Sequence, residues 1–342
     1  MTCRAKLLSA VAAIGERTEE KSRVLILSGG VDTCAILAAA GEVGVTFQAG
    51  ITVVTSEDSP DRAFAAAAAA EKGLAHHVIC VTAEDLLEQY LPKCVSLLNT
   101  FDGMTLRNSL VIAATMQKVR DLGYSHAVVG DGADELFGGY SFMWGCENDE
   151  AEWKEKRDKI CAKWTFATEA IARSYGIQVS SPYMDPAFVE WAVNNTARPD
   201  CIGQRGIRLV YGGETIDHIT GKVCLREAFD TVSSWRRKDP IEVGSGMTII
   251  SHDAFWADRI SDETFAAEQK QLLVRGFAIK NKEHLANFRA FECAFGENGC
   301  NLPTKARREI GQGCVDCCFE IADATFCDVC GAYPAQRSTC PK

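Results

Sequence analysis

From Arg23 to Gly130, short apolar runs alternate with stretches of helical periodicity, the pattern of a parallel sheet covered by helices. The runs at 24–27, 51–54, 78–81 and 127–129 read as strands. Between them, 32–40 reads as a helix stopped at Gly41, and Ser59-Pro60 caps a second helix that runs through the alanines at 65–70. Alanine suits that helix because it has the highest helix propensity and packs close to a sheet. Thr82 opens a third helix with Asp85 three residues on, and 107–122 is a fourth, ended by Gly123. After Tyr140 the pattern turns mostly helical, with helices over 153–174, 186–193 and 222–232 and loops at the glycines 203, 206, 212, 213, 244 and 246. Residues 255–295 read as helix with scattered charge, and beyond Gly296 the chain is loop-like. No internal repeat is visible.

Composition changes the picture at one place. Of sixteen cysteines in 342 residues, eight precede Glu292 and eight fall in 293–342, a density typical of a metal-bound or disulfide-stapled module. The length fits one large or two moderate domains plus that appendage. A net charge of −10, from 36 basic and 46 acidic residues, argues against a nucleic-acid binder and for small polar substrates. No apolar run reaches the roughly 18 to 20 residues of a membrane span, and the short apolar stretch at 7–14 is followed by Glu16, Glu19 and Glu20. The chain therefore reads as cytoplasmic, where thiols stay reduced and clustered cysteines are metal ligands.

The chemistry starts at 24–37, VLILSGGVDTCAIL, where a Ser-Gly-Gly turn joins a strand to a helix. Such a turn is an anion site: glycines let the backbone approach the ligand and the helix N-terminus is partly positive. Gly29 and Gly30 give the approach, while Ser28 and Thr33 add hydroxyl donors. Asp32 cannot face a bare phosphate, so it implies a Mg²⁺ between carboxylate and phosphate. The competing reading is a plain strand-turn-helix connection. Neither GxxxxGK[ST] nor GxGxxG is present.

SGGVDT resembles the SGGxD[ST] loop of the PP-loop ATP pyrophosphatases, and GDGADELFGGY at 130–140 resembles the GEGADELFGGY signature of the asparagine synthetases. Ser59-Pro60-Asp61, His76-His77, Thr105-Leu106-Arg107, Ser181-Pro182-Tyr183-Met184-Asp185, GKVCLREAF at 221–229 and WRRKDP at 235–240 are similar to further segments of that family, in order. The resemblance covers about 20–250 and ends before the cysteine-rich tail.

The resemblance implies an α/β fold, a parallel sheet with helices on both faces in the PP-loop manner, followed by a mostly helical region and a small cysteine-rich tail. The expected divisions are an N-terminal helix at 1–20, a synthetase domain at 21–295 and the tail at 296–342. The implied reaction is AMP-forming: a carboxylate, aspartate or a relative, attacks the α-phosphorus of MgATP, and ammonia or an amine then displaces AMP. Asp32 and Asp134 are the implied Mg²⁺ ligands, and Lys222 and Lys238 the cations at the leaving pyrophosphate. Asp131, Glu135 and Arg107 complete the catalytic set, while Leu27, Ser28, Gly29, Gly30, Asp32, Thr33, Val54 and Gly130 surround the nucleotide. His76 and His77 are left without a role.

Two departures limit the transfer. Asp131 stands where the family has glutamate, one methylene shorter, and the family's GxExR segment is Gly176-Ile177-Gln178-Val179-Ser180 here, without its acid and arginine. The adenylation residues are retained, while the segment that differs is one that in the family helps to hold the amino-acid substrate. Glutamine-dependent members begin with a catalytic cysteine and a whole preceding domain. In this sequence the phosphate loop arrives at residue 28 and Cys3 follows Thr2, so the expected nitrogen source is free ammonia, an amine, or a separate amidotransferase subunit.

In the tail, Cys314-x2-Cys317 and Cys327-x2-Cys330 form two knuckles nine residues apart, with Cys293, Cys300, Cys318 and Cys340 nearby. Four thiolates at this spacing suit a tetrahedral structural Zn²⁺, and eight cysteines suffice for two sites. Buried free thiols and an iron–sulfur cluster are the alternatives. The cluster defines a rival function, a PP-loop sulfurtransferase with Cys318 as sulfur carrier. A non-catalytic zinc-bearing scaffold is the third reading.

Overall fold

The β-branched and leucine-rich runs at 24–27 and 51–54 become buried strands. β1 (Arg23–Ile26) has Val24 and Leu25 fully buried, and every residue of β2 (Gly50–Val54) is buried, as a sheet covered by helices requires. With β3 (His76–Cys80), β4 (His126–Val128) and β5 (Gln178–Ser180) they form one sheet in the order β3-β2-β1-β4-β5, every pairing parallel. Succession runs outward one way from β1 to β3 and the other way from β4 to β5. That reversal opens a crevice at the carboxyl ends of β1 and β4, where such sheets bind ligands. The computed structural model describes residues 2–145, 149–321 and 326–335.

The described residues fall into two compact units interleaved in sequence. The first comprises Met1–Cys80 and Thr115–Gly246 and contains the sheet. Its helices α1 (Cys3–Arg17), α2 (Val31–Val43) and α3 (Pro60–Glu71) all form for legible reasons. The Thr2 hydroxyl accepts from the Ala5 N–H at the head of α1, which buries Leu7, Ala10, Val11 and Ile14. The helix α2 is buried along Val31–Ala40, which its small side chains permit, and it ends on Gly44 at φ +72°. Pro60 occupies the first turn of α3, but Ser59 does not cap it: its hydroxyl donates instead to the Ser245 carbonyl at 2.8 Å.

The second unit comprises Val81–Ala114 and Met247–Lys342. It holds α4 (Ala83–Leu98), capped by Thr82 as the sequence predicts, and most of α5 (Gly103–Asp121). Helices Asp262–Val274 and Lys282–Phe295 follow, and the cysteine-rich segment belongs to the same unit. Its core is aromatic: Phe101, Phe277, Phe288, Phe291 and Phe319 pack with ring centroids 4.6 to 6.3 Å apart. The composition shift at Gly296 is not a unit boundary.

Several elements differ from their sequence reading: α2 runs through Gly41 to Val43, α5 starts at Gly103, and the helical stretch expected at 255–295 is two helices parted at 275–281. The helix expected at 153–174 is two helices, Glu150–Lys163 and Ala167–Ser174, because Trp164 and Phe166 are extended at the break. Glycines read as loops at 203–213 belong partly to an antiparallel hairpin, β6 (Gly203–Arg208) with β7 (Thr215–Thr220). The helix expected at 222–232 is confined to Val223–Ala228. His76 and His77 lie inside β3 rather than before it, and the His76 ring meets the Thr52 hydroxyl at 2.8 Å, a structural role. Among the described residues no helix is long and apolar enough to cross a membrane.

Candidate functional site

The Ser-Gly-Gly turn lies between Leu27 and the first turn of α2, at the carboxyl end of β1. Gly29 has φ +68°, and a Cβ there would sit 2.4 Å from the Ala65 backbone nitrogen, so only glycine fits. Two side chains brace the turn through its carbonyls. Ser233 Oγ donates to Gly29 O at 2.6 Å, and Arg236 Nη1 donates to Ser28 O at 3.2 Å. The hydroxyls of Ser28 and Thr33 face each other at 3.4 Å, and Val54 is fully buried where β2 ends. Gly130, just past β4, stands against α2: a Cβ there would come within 2.9 Å of Asp32 Cβ.

Across this junction runs a ladder of alternating charge. Lys222 Nζ lies 2.6 Å from Asp32 Oδ2 and 2.8 Å from Asp134 Oδ1, and Lys238 Nζ lies 2.8 Å from Asp134 Oδ2. The Lys222 side chain is 1% exposed, so this is an ion pair network withdrawn from water. Burial alone would raise the Asp134 carboxyl, but Lys222 and Lys238 outweigh it and hold the group well below the usual carboxylate range. Lys238 is pushed up to about 12: burial lowers it, and the attraction of Asp134 and Asp32 more than reverses that.

Glycines make the ladder possible. A Cβ on Gly139 would fall 1.7 Å from Asp134 Oδ1 and 2.6 Å from Lys222 Cε, and one on Gly221 would fall 1.9 Å from the Gly138 carbonyl oxygen. Lys222 itself has φ +62° and its N–H donates to Phe137 O at 2.8 Å. The segment 130–140 and Gly221 thus touch backbone to backbone, which is how Lys222 reaches the Asp134 carboxylate, some ninety positions away in sequence.

The remaining acids of the GDGADELFGGY segment differ in environment. Burial pushes the Asp131 carboxyl up to about 6 against a hydrogen bond from Thr168, with Glu135, Asp134 and Asp32 adding repulsion. Burial also raises Glu135, whose Oε1 accepts from the Tyr140 hydroxyl at 2.5 Å. Asp61 is likewise pushed up to about 6 by burial, despite its 2.6 Å ion pair with Arg236. For Asp131 and Asp61 the folded value lies above the unfolded one of about 4. The folded chain then holds protons that the unfolded chain has lost, so stability falls as pH rises from about 4 to 6. Asp131→Asn is expected to flatten that slope, checked by urea unfolding at pH 4.5 and 6.5; an unchanged slope would remove Asp131 as its source. The Asp134 contribution has the opposite sign, present above about pH 4 and lost as pH falls below it.

Among the described residues, the first unit brings together Ser28, Gly29, Gly30, Asp32, Thr33, Gly130, Asp134, Lys222 and Lys238 in direct or near contact. Arg107 belongs to the second unit, where its guanidinium holds both oxygens of buried Glu283 at 2.9 and 2.7 Å. Sequence reasoning did not single out four contributors. Arg236 and Asp61 form the pair behind the turn, with Arg236 stacked 4.4 Å from the Phe64 ring centroid. Ser233 braces Gly29, and the Tyr183 hydroxyl donates to Asp32 O at 2.8 Å. Arg236, Asp61 and Tyr183 lie inside the WRRKDP, SPD and SPYMD segments, so the signal was present but pointed to no partner.

Two groups have the chemistry to hold metal. Asp32 Oδ1 is buried with no hydrogen-bond partner, and with the Asp134 carboxylate it offers the hard oxygen donors that Mg²⁺ takes. Cys314, Cys317, Cys327 and Cys330 are all buried, with their four Sγ atoms within 4.8 Å of one another. Cys293 and Cys300 are exposed and stand outside this group, while Cys146 and Cys340 lie outside the described residues. Cys318, the sulfur-carrier candidate, is 2% exposed with its thiol directed at the Gly276 carbonyl. A carrier must present its sulfur to a substrate, so this geometry does not support the sulfurtransferase reading.

Residues 11–158 match the family model described as asparagine synthase. The chain is 26% identical over 229 residues to a probable glutamine-hydrolyzing asparagine synthetase of Dictyostelium discoideum, an alignment covering 62% of this chain and 39% of that protein. It is 26% identical over 303 residues to glutamine-hydrolyzing asparagine synthetase 1 of Lotus japonicus, covering 81% and 48%. With glutamine-hydrolyzing asparagine synthetase B of Escherichia coli it shares 25% identity over 219 residues, covering 62% and 35%. The chain thus spans less than half the length of each of these relatives. Residues 11–158, which carry the Ser-Gly-Gly turn and the GDGADELFGGY segment, are thus similar to the asparagine synthase family.

Proposed function

We propose that this protein is an ATP-dependent, AMP-forming carbon–nitrogen ligase of the asparagine synthetase kind, which activates a carboxylate as an acyl-adenylate. The observation that carries the reading is the buried Asp32–Lys222–Asp134–Lys238 ladder beside the Ser-Gly-Gly turn, at the carboxyl ends of β1 and β4. In the first step a substrate carboxylate oxygen bonds to the α-phosphorus. The bridging bond to the β-phosphate breaks, and pyrophosphate leaves with the electron pair. In the second, an amine nitrogen attacks the acyl carbon, AMP departs with the former carboxylate oxygen, and the nitrogen gives up a proton.

Negative charge gathers on pyrophosphate as it leaves, and fixed cations there lower the barrier because no reorganisation is needed when the charge appears. Lys222 and Lys238 fill that role, already held by Asp32 and Asp134 rather than by water. The same two carboxylates would hold Mg²⁺, which when bound neutralises phosphate charge. Ser28, Gly29, Gly30 and Thr33 hold the phosphates, with Leu27, Val54 and Gly130 lining the nucleotide. Asp131, with a carboxyl near 6, is assigned to accept the proton of the attacking nitrogen, and Glu135 and Tyr140 to fix the loop that carries it. Arg107, whose orientation Glu283 sets within the second unit, keeps the sequence-based assignment to the carboxylate substrate.

The carboxylate is aspartate or a close relative, and the nitrogen comes from ammonia, an amine or a separate amidotransferase subunit. The net charge of −10 supports small-molecule substrates over nucleic acid and suits a cytoplasmic enzyme. The test is carboxylate-dependent exchange of labelled pyrophosphate into ATP with Mg²⁺, across a panel of amino acids and other carboxylic acids. Exchange that needs one class of carboxylate supports the reading. Exchange with tRNA and with no carboxylate would overturn it.

A further inference from the structure

We infer that Cys314, Cys317, Cys327 and Cys330 bind one structural Zn²⁺, and that this centre clamps the head of α5 and so positions Arg107. The metal half of the inference stands without the proposed function; the significance of Arg107 rests on it.

The two knuckles are built alike. Cys318 N–H donates to Cys314 O and Gly331 N–H to Cys327 O, both at 2.8 Å. Cys314 N–H donates to Phe319 O at 2.8 Å and Cys327 N–H to Ala332 O at 3.0 Å. In each knuckle the residue after the second cysteine is left-handed, Cys318 at φ +64° and Gly331 at φ +72°. Each turn therefore curls its two thiols to one side, and the two pairs face each other. Cys314 Sγ lies 3.7 Å from Cys330 Sγ, and Cys317 Sγ lies 3.7 Å from Cys327 Sγ. Four ligands at the Zn–S distance of about 2.3 Å define a tetrahedron with edges of about 3.8 Å, which is this spacing. Four buried thiols converging on one point, with no fifth donor among the described residues, make a closed, structural site. Binding releases the thiol protons to solvent and involves no change of oxidation state.

The second knuckle is tied to the segment that opens α5. Val329, between the last two ligands, accepts at its carbonyl from Phe101 N–H at 2.8 Å and from Thr100 Oγ1 at 3.0 Å. Gly331 packs so closely on Asp102 that a Cβ would fall 2.0 Å from Asp102 Oδ1. Asp102 in turn caps α5, its Oδ2 accepting from Thr105 N–H at 2.8 Å. Arg107 follows in the next turn, held by Glu283. A chain of hydrogen bonds and close contacts therefore leads from the metal ligands to Arg107. This gives the cysteine-rich segment a function that the family match at 11–158 does not reach.

The experiment combines metal analysis of the full chain with hydrogen exchange before and after chelation. The expected result is one zinc per chain and, on its removal, exchange at Phe101 and Thr105 at least tenfold faster. The Leu27 and Val129 amides, bonded to Ile51 O and Ser180 O within the sheet, are expected to keep their protection. Thr100→Val, which keeps all four ligands, is expected to retain zinc and to speed exchange at Phe101. Absence of zinc, iron in its place, unchanged exchange at Phe101 after chelation, or loss of sheet protection with it would each overturn the inference.

Discussion

Lys222→Met is expected to abolish carboxylate-dependent pyrophosphate exchange and to lower the unfolding free energy by about 3 to 5 kcal/mol, the cost of stranding a buried partner charge. Among the described residues Lys222 is the cation paired with Asp32, while Asp134 keeps Lys238. The stranded group is therefore the Asp32 carboxylate, whose Oδ1 already lacks a partner. Asp32→Asn in the same chain removes the stranded charge, so the double variant is expected to regain much of the stability while exchange stays lost. Urea unfolding and exchange measured on the wild type and both variants separate the two effects. Recovery of exchange along with stability would mean that Lys222 only balances charge.

Gly221→Ala is expected to be the second most damaging change, costing about 3 kcal/mol, the upper end of what overpacking costs, and with it the exchange activity. The added methyl would meet Gly138 O at 1.9 Å, Gly138 C at 2.6 Å and Gly139 Cα at 3.0 Å. All three are backbone atoms, so no side chain can swing away. The two segments must part, and Lys222 moves with them, away from both carboxylates. Gly41→Ala is the control, because a methyl there meets nothing within 4 Å and sits in α2. It is expected to be neutral or stabilising by up to about 1 kcal/mol, as alanine replaces glycine in a helix. Equal losses in both variants would show that α2-side glycines matter for reasons other than contact.

The order of strands and helices up to Gly130 was readable because apolar runs alternate with helical periods, whereas the ends were less so: α2 runs past Gly41, and Ser59 does not cap α3. The hairpin β6–β7 was not, since Gly203, Gly206, Gly212 and Gly213 read as loops and half its residues face outward. The break at Trp164–Phe166 escaped because the flanking residues keep a helical period. In the site, the Ser-Gly-Gly turn and the acids of 130–140 were legible through their resemblance to the motifs of a known family. What the sequence could not supply was pairing: Lys222 and Asp134 were each assigned to a separate partner, and only the close passage of Gly138–Gly139 against Gly221 puts them on each other. The same holds for Arg236 and Asp61, 175 positions apart and paired at 2.6 Å.

The claim that a carboxylate is adenylated is tested most directly by following oxygen. The carboxylate that supports exchange is prepared with ¹⁸O in its carboxyl group and turned over with MgATP and ammonium, and AMP is analysed by mass spectrometry. Transfer of one ¹⁸O to the phosphate of AMP is the expected result, because the acyl–oxygen bond breaks only after that oxygen has joined phosphorus. AMP without label, or label in inorganic phosphate with ADP as the other product, would contradict it.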